Sequence, residues 1–385
     1  MSTDSLDSGV TVVWRFRANS MVSGRANRYI VFIDLQAAVL FMQCDRIAGE
    51  NSGLRVRMSK SWIKAGVLKS GIMRLAAMGK PPGAAILMYH SVMGDPRREL
   101  QTLGGIIHSK AVFIGQMELL AREYVPISLD DLLQAVTNGK SLRPRSVVVT
   151  FDDGYADNQE MAMPILNRVG VPSTFYITVD CVAGGKLPWP SRLRYAFFTT
   201  RKVSWNDINK EWPLTTPEAR DLAFLHACDL CAKLAGEAQE TFVGQVESHL
   251  LAAPPSSNLM MSWDQVRDLV QKGHIVGSHT LTHPNMAYVD SQAARKELAE
   301  SKQKLEVELG APVEHFSYPC PALVPHWSQN TRELSREIGY RTAVTTIGGA
   351  VHAGDDPLSL KRVRPSKDIA GLRWNLECTF IGRAM

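Results

Sequence analysis

The chain alternates between short apolar runs and longer stretches in which apolar residues recur at helical spacing. The clearest runs are AAILMYH (84–90), SVVVTF (146–151), STFYITV (173–179) and HIVGSH (274–279). Most of their positions are apolar rather than alternately apolar and polar, which is typical of parallel strands buried on both faces. Helical patterns separate the runs, so the sequence predicts repeated strand–helix units.

Seven or so such units follow residue 80, and this number favours a barrel over an open sheet. In either architecture we expect the chemistry at the carboxyl ends of the strands. One segment, at about 184–261, interrupts the rhythm. We interpret it as an insertion on the catalytic rim, where it either shapes a substrate groove or is a structural elaboration. The predicted domains are an extension, 1–80, and a barrel, 81–385, that contains the insertion.

The extension has two parts with different patterns. Residues 1–57 show no periodic pattern, and Met58 could be the real translation start. Residues 58–80 predict a basic amphipathic helix, since residues 51–80 contain seven Lys or Arg and no acidic residue. Such a helix either rests on an anionic membrane surface or caps the barrel with its charged face in water.

Composition excludes several classes of protein. The chain has 385 residues, 45% of them hydrophobic and 21% charged, which indicates a globular protein with a substantial core. A net charge of +5 is too small to imply nucleic-acid binding. Of six cysteines only Cys228 and Cys231 are close in sequence, and we interpret them as packed thiols in a reducing compartment. With no clear signal peptide, we expect a cytoplasmic protein or one peripheral on the inner membrane face.

Polar side chains follow two of the predicted strands where those strands end. Asp152 and Asp153 come directly after SVVVTF, and His279 and His283 occur in GSHTLTH. Two imidazoles four residues apart can point at one metal ion, and a carboxylate completes a three-ligand set that leaves room for water. One aspartate would bind the metal. The other would take a proton from metal-bound water, whose pKa falls from ~15.7 to ~7.

The segments TFDDGYADN and GSHTLTH resemble the first two motifs of the polysaccharide deacetylases, the family that includes the chitooligosaccharide deacetylases of nodulation. The segments ILMYHSV, PSTFYITV and FSYP also agree in order, so the resemblance covers about residues 84–365 outside the insertion. It implies a distorted (β/α)7 barrel and a metal-dependent reaction that removes acetyl groups from N-acetylated sugars. The implied partner is an N-acetylated glycan or glycolipid.

Carried over residue by residue, the resemblance implies that Asp152 is the general base. It implies that Asp153, His279 and His283 bind a divalent metal, with zinc as the leading candidate. Tyr318 falls at the third motif, where a backbone N–H helps to hold the oxyanion; such a donor contributes about 3 kcal/mol.

The sequence departs from the family pattern at the third motif and beyond. The usual arginine before the motif's proline is missing, and a Cys-Pro pair replaces the glycine region. Arg362, in SLKRVRP, either orients Asp152 or is a surface arginine. The family's late motifs are not visible, so the general acid has no clear counterpart. His90 is the better-placed candidate for the pocket, and His352 is a weaker one.

The leading interpretation is a hydrolase that deacetylates an amino-sugar polymer, oligosaccharide or glycolipid. One alternative is a catalytically impaired barrel that binds glycan without turnover. Another is a deacylase acting on a different N-acyl or O-acyl substrate. A two-His, one-carboxylate iron oxygenase is disfavoured, since such sites usually lie on all-β jelly rolls whereas this chain alternates strands and helices.

Overall fold

The computed structural model describes residues 60–94, 104–207, 210–253 and 259–383. Its helices are α1 Lys60–Ser70, α2 Ile72–Met78, α3 Lys110–Glu123, α4 Leu129–Asn138, α5 Met163–Val169, α6 Val179–Gly184, α7 Trp189–Thr199, α8 Pro217–Cys231, α9 Gly236–His249, α10 Trp263–Gln271, α11 Ser291–Leu309, α12 Gln329–Glu337 and α13 Ile369–Phe380. Shorter turns are the 3₁₀ helices Gly104–Ile106 and Pro357–Ser359 and a π-helix, Asn158–Ala162. Among these described helices, none is long and apolar enough to cross a membrane.

The strands are β1 Gly83–Tyr89, β2 Ser91–Met93, β3 Ile107–Ser109, β4 Val125–Pro126, β5 Ser146–Phe151, β6 Ser173–Ile177, β7 Ser204–Asn206, β8 Glu211–Pro213, β9 Ile275–Ser278, β10 His315–Ser317, β11 Thr342–Val344 and β12 Val351–His352. The main sheet has the order β11-β10-β9-β6-β5-β1-β12, with β4 beside β5. Its strands are parallel except β12, which is antiparallel to β1. The curled sheet confirms the predicted distorted (β/α)7 barrel.

The segment 360–363 bridges the two sides of the curled sheet. Leu360 pairs in parallel with Val344 of β11, and Val363 pairs in parallel with Leu87 of β1. Backbone hydrogen bonds hold the bridge on both sides: the N–H of Met88 donates to the carbonyl of Val363, and the N–H of Thr345 donates to that of Leu360. This segment therefore completes the hydrogen bonding that the short strand β11 cannot supply alone.

Each central strand is buried on both faces, as its continuous apolar run predicts. In β1, Leu87 packs in the layer between the sheet and the surrounding helices, whereas Ile86 packs in a second cluster with Val148, Val344 and Leu360. Because side chains alternate along a strand, the residues of β5 that share the face of Val148 are the even-numbered ones. This alternation carries Asp152, just past the strand, toward the same face.

Residues 184–261 contain α7, the β7–β8 hairpin, α8 and α9. They have a hydrophobic cluster of their own, with Leu193, Phe197 and Ala227 fully buried. The predicted division into an extension, a barrel and an insertion stays a prediction. Residues 1–59 lie outside the described part of the chain. The single helix predicted over residues 58–80 is instead two helices, because Gly71 adopts a left-handed conformation with φ of 72° between them.

We predict that the bridging segment contributes measurably to stability. Leu360 is 1% exposed, and its replacement in Leu360→Ala should lower the free energy of unfolding by about 2–5 kcal/mol, since it removes buried methyl groups and leaves a cavity. Urea unfolding followed by circular dichroism measures the change. The matched control is Leu222→Ala on α8, where the side chain is 61% exposed and the expected change is below about 0.5 kcal/mol. Equal effects of the two substitutions would contradict this role.

Candidate active site

The two adjacent aspartates lie at the carboxyl end of β5 and are both buried. Asp152 is 2% exposed and Asp153 is 5% exposed. The backbone N–H of Asp152 donates to the carbonyl of Tyr89 at the end of β1, which continues the ladder one residue past the strand. Asp153 then turns with φ of 79°, a conformation that non-glycine residues rarely adopt. The turn directs the two neighbouring carboxylates to different partners.

Asp152 forms a bidentate ion pair with Arg362 of the bridging segment. The Nη1 and Nη2 atoms of the guanidinium each lie 2.8 Å from a carboxylate oxygen, and Nε donates to the carbonyl of Thr345 at 2.8 Å. Burial alone would raise the pKa of Asp152, but the positive charge of Arg362 outweighs it and lowers the pKa. Arg362 is 2% exposed, so its interpretation as a surface arginine is wrong. The predicted alternative, that Arg362 orients Asp152, agrees with this geometry.

Asp153 faces the two histidines that follow β9. Its Oδ1 atom lies 3.5 Å from Nε2 of His279 and 3.3 Å from Nε2 of His283. The Nδ1 atom of His279 lies 2.7 Å from the carbonyl oxygen of Ser317, so Nδ1 donates and Nε2 keeps its lone pair. The sequence motifs therefore bring one carboxylate and two imidazoles together, as predicted.

These three side chains fit a divalent cation. Their ligand atoms all lie within 4.8 Å of one another. Ligands about 2.1 Å from a tetrahedral ion are about 3.4 Å apart, which matches the spacing of Asp153 Oδ1 from both imidazoles. Asp153 Oδ1 is buried and accepts no hydrogen bond from the described residues, so this oxygen is available as a ligand. Burial raises and the two histidines lower the pKa of Asp153, and the net effect places it well below its usual range.

Two residues outside the loop that carries the histidines form hydrogen bonds with it. Thr280 and His283 have φ of 67° and 65°, so this loop is strained. Glu297 of α11 accepts hydrogen bonds from the N–H groups of Leu281 and Thr282 and from the Thr282 hydroxyl, at 2.6–2.9 Å. Nε1 of Trp189 donates to the carbonyl of His283 at 2.9 Å. The sequence analysis missed both supports, although a glutamate among the buried positions of a helix is a signal for such a role.

A cavity of about 340 Å³ opens above this cluster. His90 lies in its wall, with Nε2 3.9 Å from Oδ2 of Asp152, so the predicted candidate acid is beside the candidate base. The insertion contributes part of the same wall. The residues that line the cavity and that sequence reasoning did not single out include His108, Pro188, Pro190, Ser191, Thr346 and Arg364. No motif pointed to them, because they come from loops of unrelated sequence.

The structure corrects the assignment of Tyr318. Its N–H donates to the carbonyl of Val344 at 3.1 Å in the β10–β11 ladder, and its hydroxyl donates to the carbonyl of Leu358. Both groups therefore donate hydrogen bonds to backbone carbonyls of the fold, and Tyr318 does not line the cavity. The residue of this motif that does so is Cys320, whose Sγ lies 3.0 Å from Nε2 of His326.

His352, the weaker candidate for the general acid, lies at the other end of the barrel. It pairs with Gly83 at the amino end of β1, whereas the catalytic cluster lies past the carboxyl end of that strand. A histidine at this position cannot reach a substrate in the cavity, so this candidate is wrong. Of the two histidines considered as the general acid, only His90 lines the cavity.

Comparison with known proteins agrees with the geometry. The profile of the polysaccharide deacetylase family matches residues 139–194 and 236–343. YxkH of Bacillus subtilis (strain 168), provisionally named a polysaccharide deacetylase, is 21% identical over 297 residues, which are 76% of this chain and 75% of that protein. The deacetylase PplD of Streptococcus pyogenes, solved in complex with acetate, is 18% identical with a TM-score of 0.53 and covers 78% of this chain and 99% of its own. IcaB from Ammonifex degensii, 18% identical with a TM-score of 0.50, covers 77% and 98%.

The matched residues include the two motifs that carry the aspartates and the histidines, whereas His90 and Arg362 lie outside them. The first matched segment contains both aspartates of the β5 end, and the second contains both histidines of the β9 loop. The gap between the two segments falls inside the stretch that interrupts the strand–helix rhythm. The chain belongs to the polysaccharide deacetylase family.

Proposed function

We propose that the protein is a metal-dependent hydrolase that removes N-acetyl groups from an amino-sugar polymer, oligosaccharide or glycolipid. The observation that carries this proposal is the convergence of Asp153, His279 and His283 beside the Asp152–Arg362 ion pair, in one cavity. Family membership supports deacetylation of an acetylated polysaccharide. The metal, which we propose is zinc, and the identity of the amino sugar are our own extension.

Each residue of the site would have a separate role in the reaction. Asp153, His279 and His283 would hold the cation, which when bound supplies Lewis acidity and lowers the pKa of water. Asp152, kept ionised by Arg362, would accept a proton from the attacking water. His90, across from Asp152, would protonate the departing amine. The Cys320 segment, which lines the cavity in place of Tyr318, would present the backbone N–H to the oxyanion.

The intact ion pair favours turnover over the alternative of a barrel that only binds glycan. A buried ion pair is costly to maintain, since both charges lose their hydration on burial. Here the pair keeps Asp152 in the ionised form that a general base needs, at the side of the cavity next to the proposed metal ligands. A protein that only bound glycan would not need an ionised carboxylate at that position.

Acetate release is the direct test of the proposed function. We expect the purified chain to release acetate from at least one of chitin oligomers, peptidoglycan fragments and acetylated glycolipids. A chelator should abolish the release and added zinc should restore it, because the base alone cannot activate water sufficiently. Acetate is measured enzymatically in matched reactions with and without chelator. Release that a chelator does not affect would contradict metal dependence, and no release from any substrate would favour the binding barrel.

Replacement of the base should separate metal binding from catalysis. Asp152→Asn keeps the size of the side chain and removes its basicity, so we expect the acetate-release rate to fall by about 10²–10⁴-fold. The metal content, measured by inductively coupled plasma mass spectrometry, should stay at the wild-type value because Asp152 is not among the proposed ligands. A variant with the full rate would show that another group is the base.

Replacement of a proposed ligand should remove both properties together. In His279→Ala and His283→Ala we expect the bound metal and the rate to be lost in parallel, since two remaining ligands hold a cation much more weakly than three. His352→Ala serves as the matched control, because this histidine lies at the opposite end of the barrel and should keep metal and rate. Wild-type metal content in both site variants would mean that the cation binds elsewhere.

A further inference from the structure

The helix α2 presents two apolar side chains to solvent at the amino end of the barrel. Leu75 is 69% exposed and Met78 is 82% exposed, the latter among the most exposed large apolar side chains of the described chain. These two side chains do not pack against the barrel, because the opposite face of the helix makes that contact. There Met73 is buried in a cluster with Trp374 and Cys378 of α13. The pair is therefore free to contact a partner outside the barrel.

Cations lie close to this exposed pair in the chain, and two of them, Arg74 and Lys80, line one cavity together with Met78. Lys69 and Lys80 are exposed, and neither forms an ion pair with any of the residues that the structure describes. Arg74 lies 2.9 Å from Glu123, a carboxylate that also contacts Arg122 and Arg373. We call the exposed residues 69, 74, 75, 78 and 80 the basic pole. It combines apolar side chains with an excess of positive charge.

A cavity of about 470 Å³ adjoins the basic pole and adds an independent observation. Arg74, Lys80 and Arg145 line it together with Met78 and Glu377. Nη1 of Arg145 lies 2.8 Å from Glu377 Oε1 in an ion pair, but its buried Nη2 atom has no hydrogen-bond partner among the described residues. Oε2 of Glu377 also lacks one. The three cations against one carboxylate give the lining of this cavity an excess of positive charge.

We propose that the basic pole binds the surface of a bilayer containing anionic phospholipid. Leu75 and Met78 would enter the boundary between head groups and acyl chains, while the cations contact lipid phosphates. The cations that line the cavity would attract a lipid phosphate. A soluble phosphate ester would account for the cavity but not for the two exposed apolar side chains, so we assign the phosphate to lipid.

Docking at this pole would determine which way the active site faces. The cavity includes Gly83, the first residue of β1, whereas the catalytic aspartates follow the strand paired with its last residue, Tyr89. The membrane contact and the catalytic cavity thus lie at opposite ends of the same strand. A docked protein would hold its catalytic cavity away from the lipid surface. This inference does not rest on the proposed function.

The test is co-sedimentation of the full chain with vesicles of phosphatidylglycerol and phosphatidylcholine, compared with phosphatidylcholine alone, at low and at physiological salt. We expect binding to the anionic vesicles, weakened by salt. Lys69→Gln and Lys80→Gln should each weaken it about fivefold. The double variant Leu75→Asn/Met78→Asn should weaken it at least about tenfold. Both pairs are exposed, so folding, checked by circular dichroism, should be unchanged.

Two matched controls identify the surface. Val307→Asn changes a side chain that is 76% exposed on α11, and Lys272→Gln removes an exposed cation after α10; both should bind like the wild type. Binding that is unchanged in the Leu75/Met78 variant would overturn the proposal. Equal binding to neutral vesicles would do so as well. Absence of sedimentation at low salt would also overturn it and would leave the basic pole to an acidic protein partner. Acetate release from soluble oligomers, measured in parallel, reports separately on the proposed reaction.

Discussion

The catalytic end of the barrel depends on compensation of the buried charge of Asp152 by Arg362. A carboxylate that is 2% exposed cannot remain ionised without such a partner, and loss of one member of a buried pair costs about 3–5 kcal/mol. Arg362 belongs to the segment that joins β11 to β1. The same few residues therefore complete the barrel's hydrogen bonding and set the charge state of the proposed base. A change in this bridging segment would therefore affect both the fold and the proposed base.

The second requirement of the site is a strained loop kept in one conformation. Left-handed non-glycine residues cost about 1–3 kcal/mol each, and Asp153, Thr280 and His283 all adopt such conformations. The hydrogen bonds that Glu297 accepts from the histidine loop offset part of this cost, and Trp189 fixes the same loop from the inserted segment. The proposed ligand atoms are thus held close together by the fold itself, within 4.8 Å of one another.

Sequence reasoning succeeded where the determining signals are local. A continuous apolar run predicts a strand buried on both faces, and polar residues placed directly after such runs must meet at one end of a parallel barrel. These two rules located the pair of aspartates and both histidines, and the family resemblance chose Asp153 as the proposed ligand. It failed where a shift of one or two residues along the chain decides which residue reaches the cavity. Tyr318 follows β10 by a single position, so its N–H still belongs to the ladder, and Cys320 reaches the cavity instead. Sequence could not choose between a buried and a surface Arg362, because no local pattern links residues so distant.

The separation of Asp152 and Arg362 along the chain has a consequence for biosynthesis. The two partners are 210 residues apart, so the carboxylate leaves the ribosome long before its counter-charge exists. During that interval the nascent strands β1, β5 and β6 can pair, but burial of the carboxylate would be strongly unfavourable. Charge compensation at this end of the barrel therefore has to wait until a segment close to the end of the described chain has been synthesised.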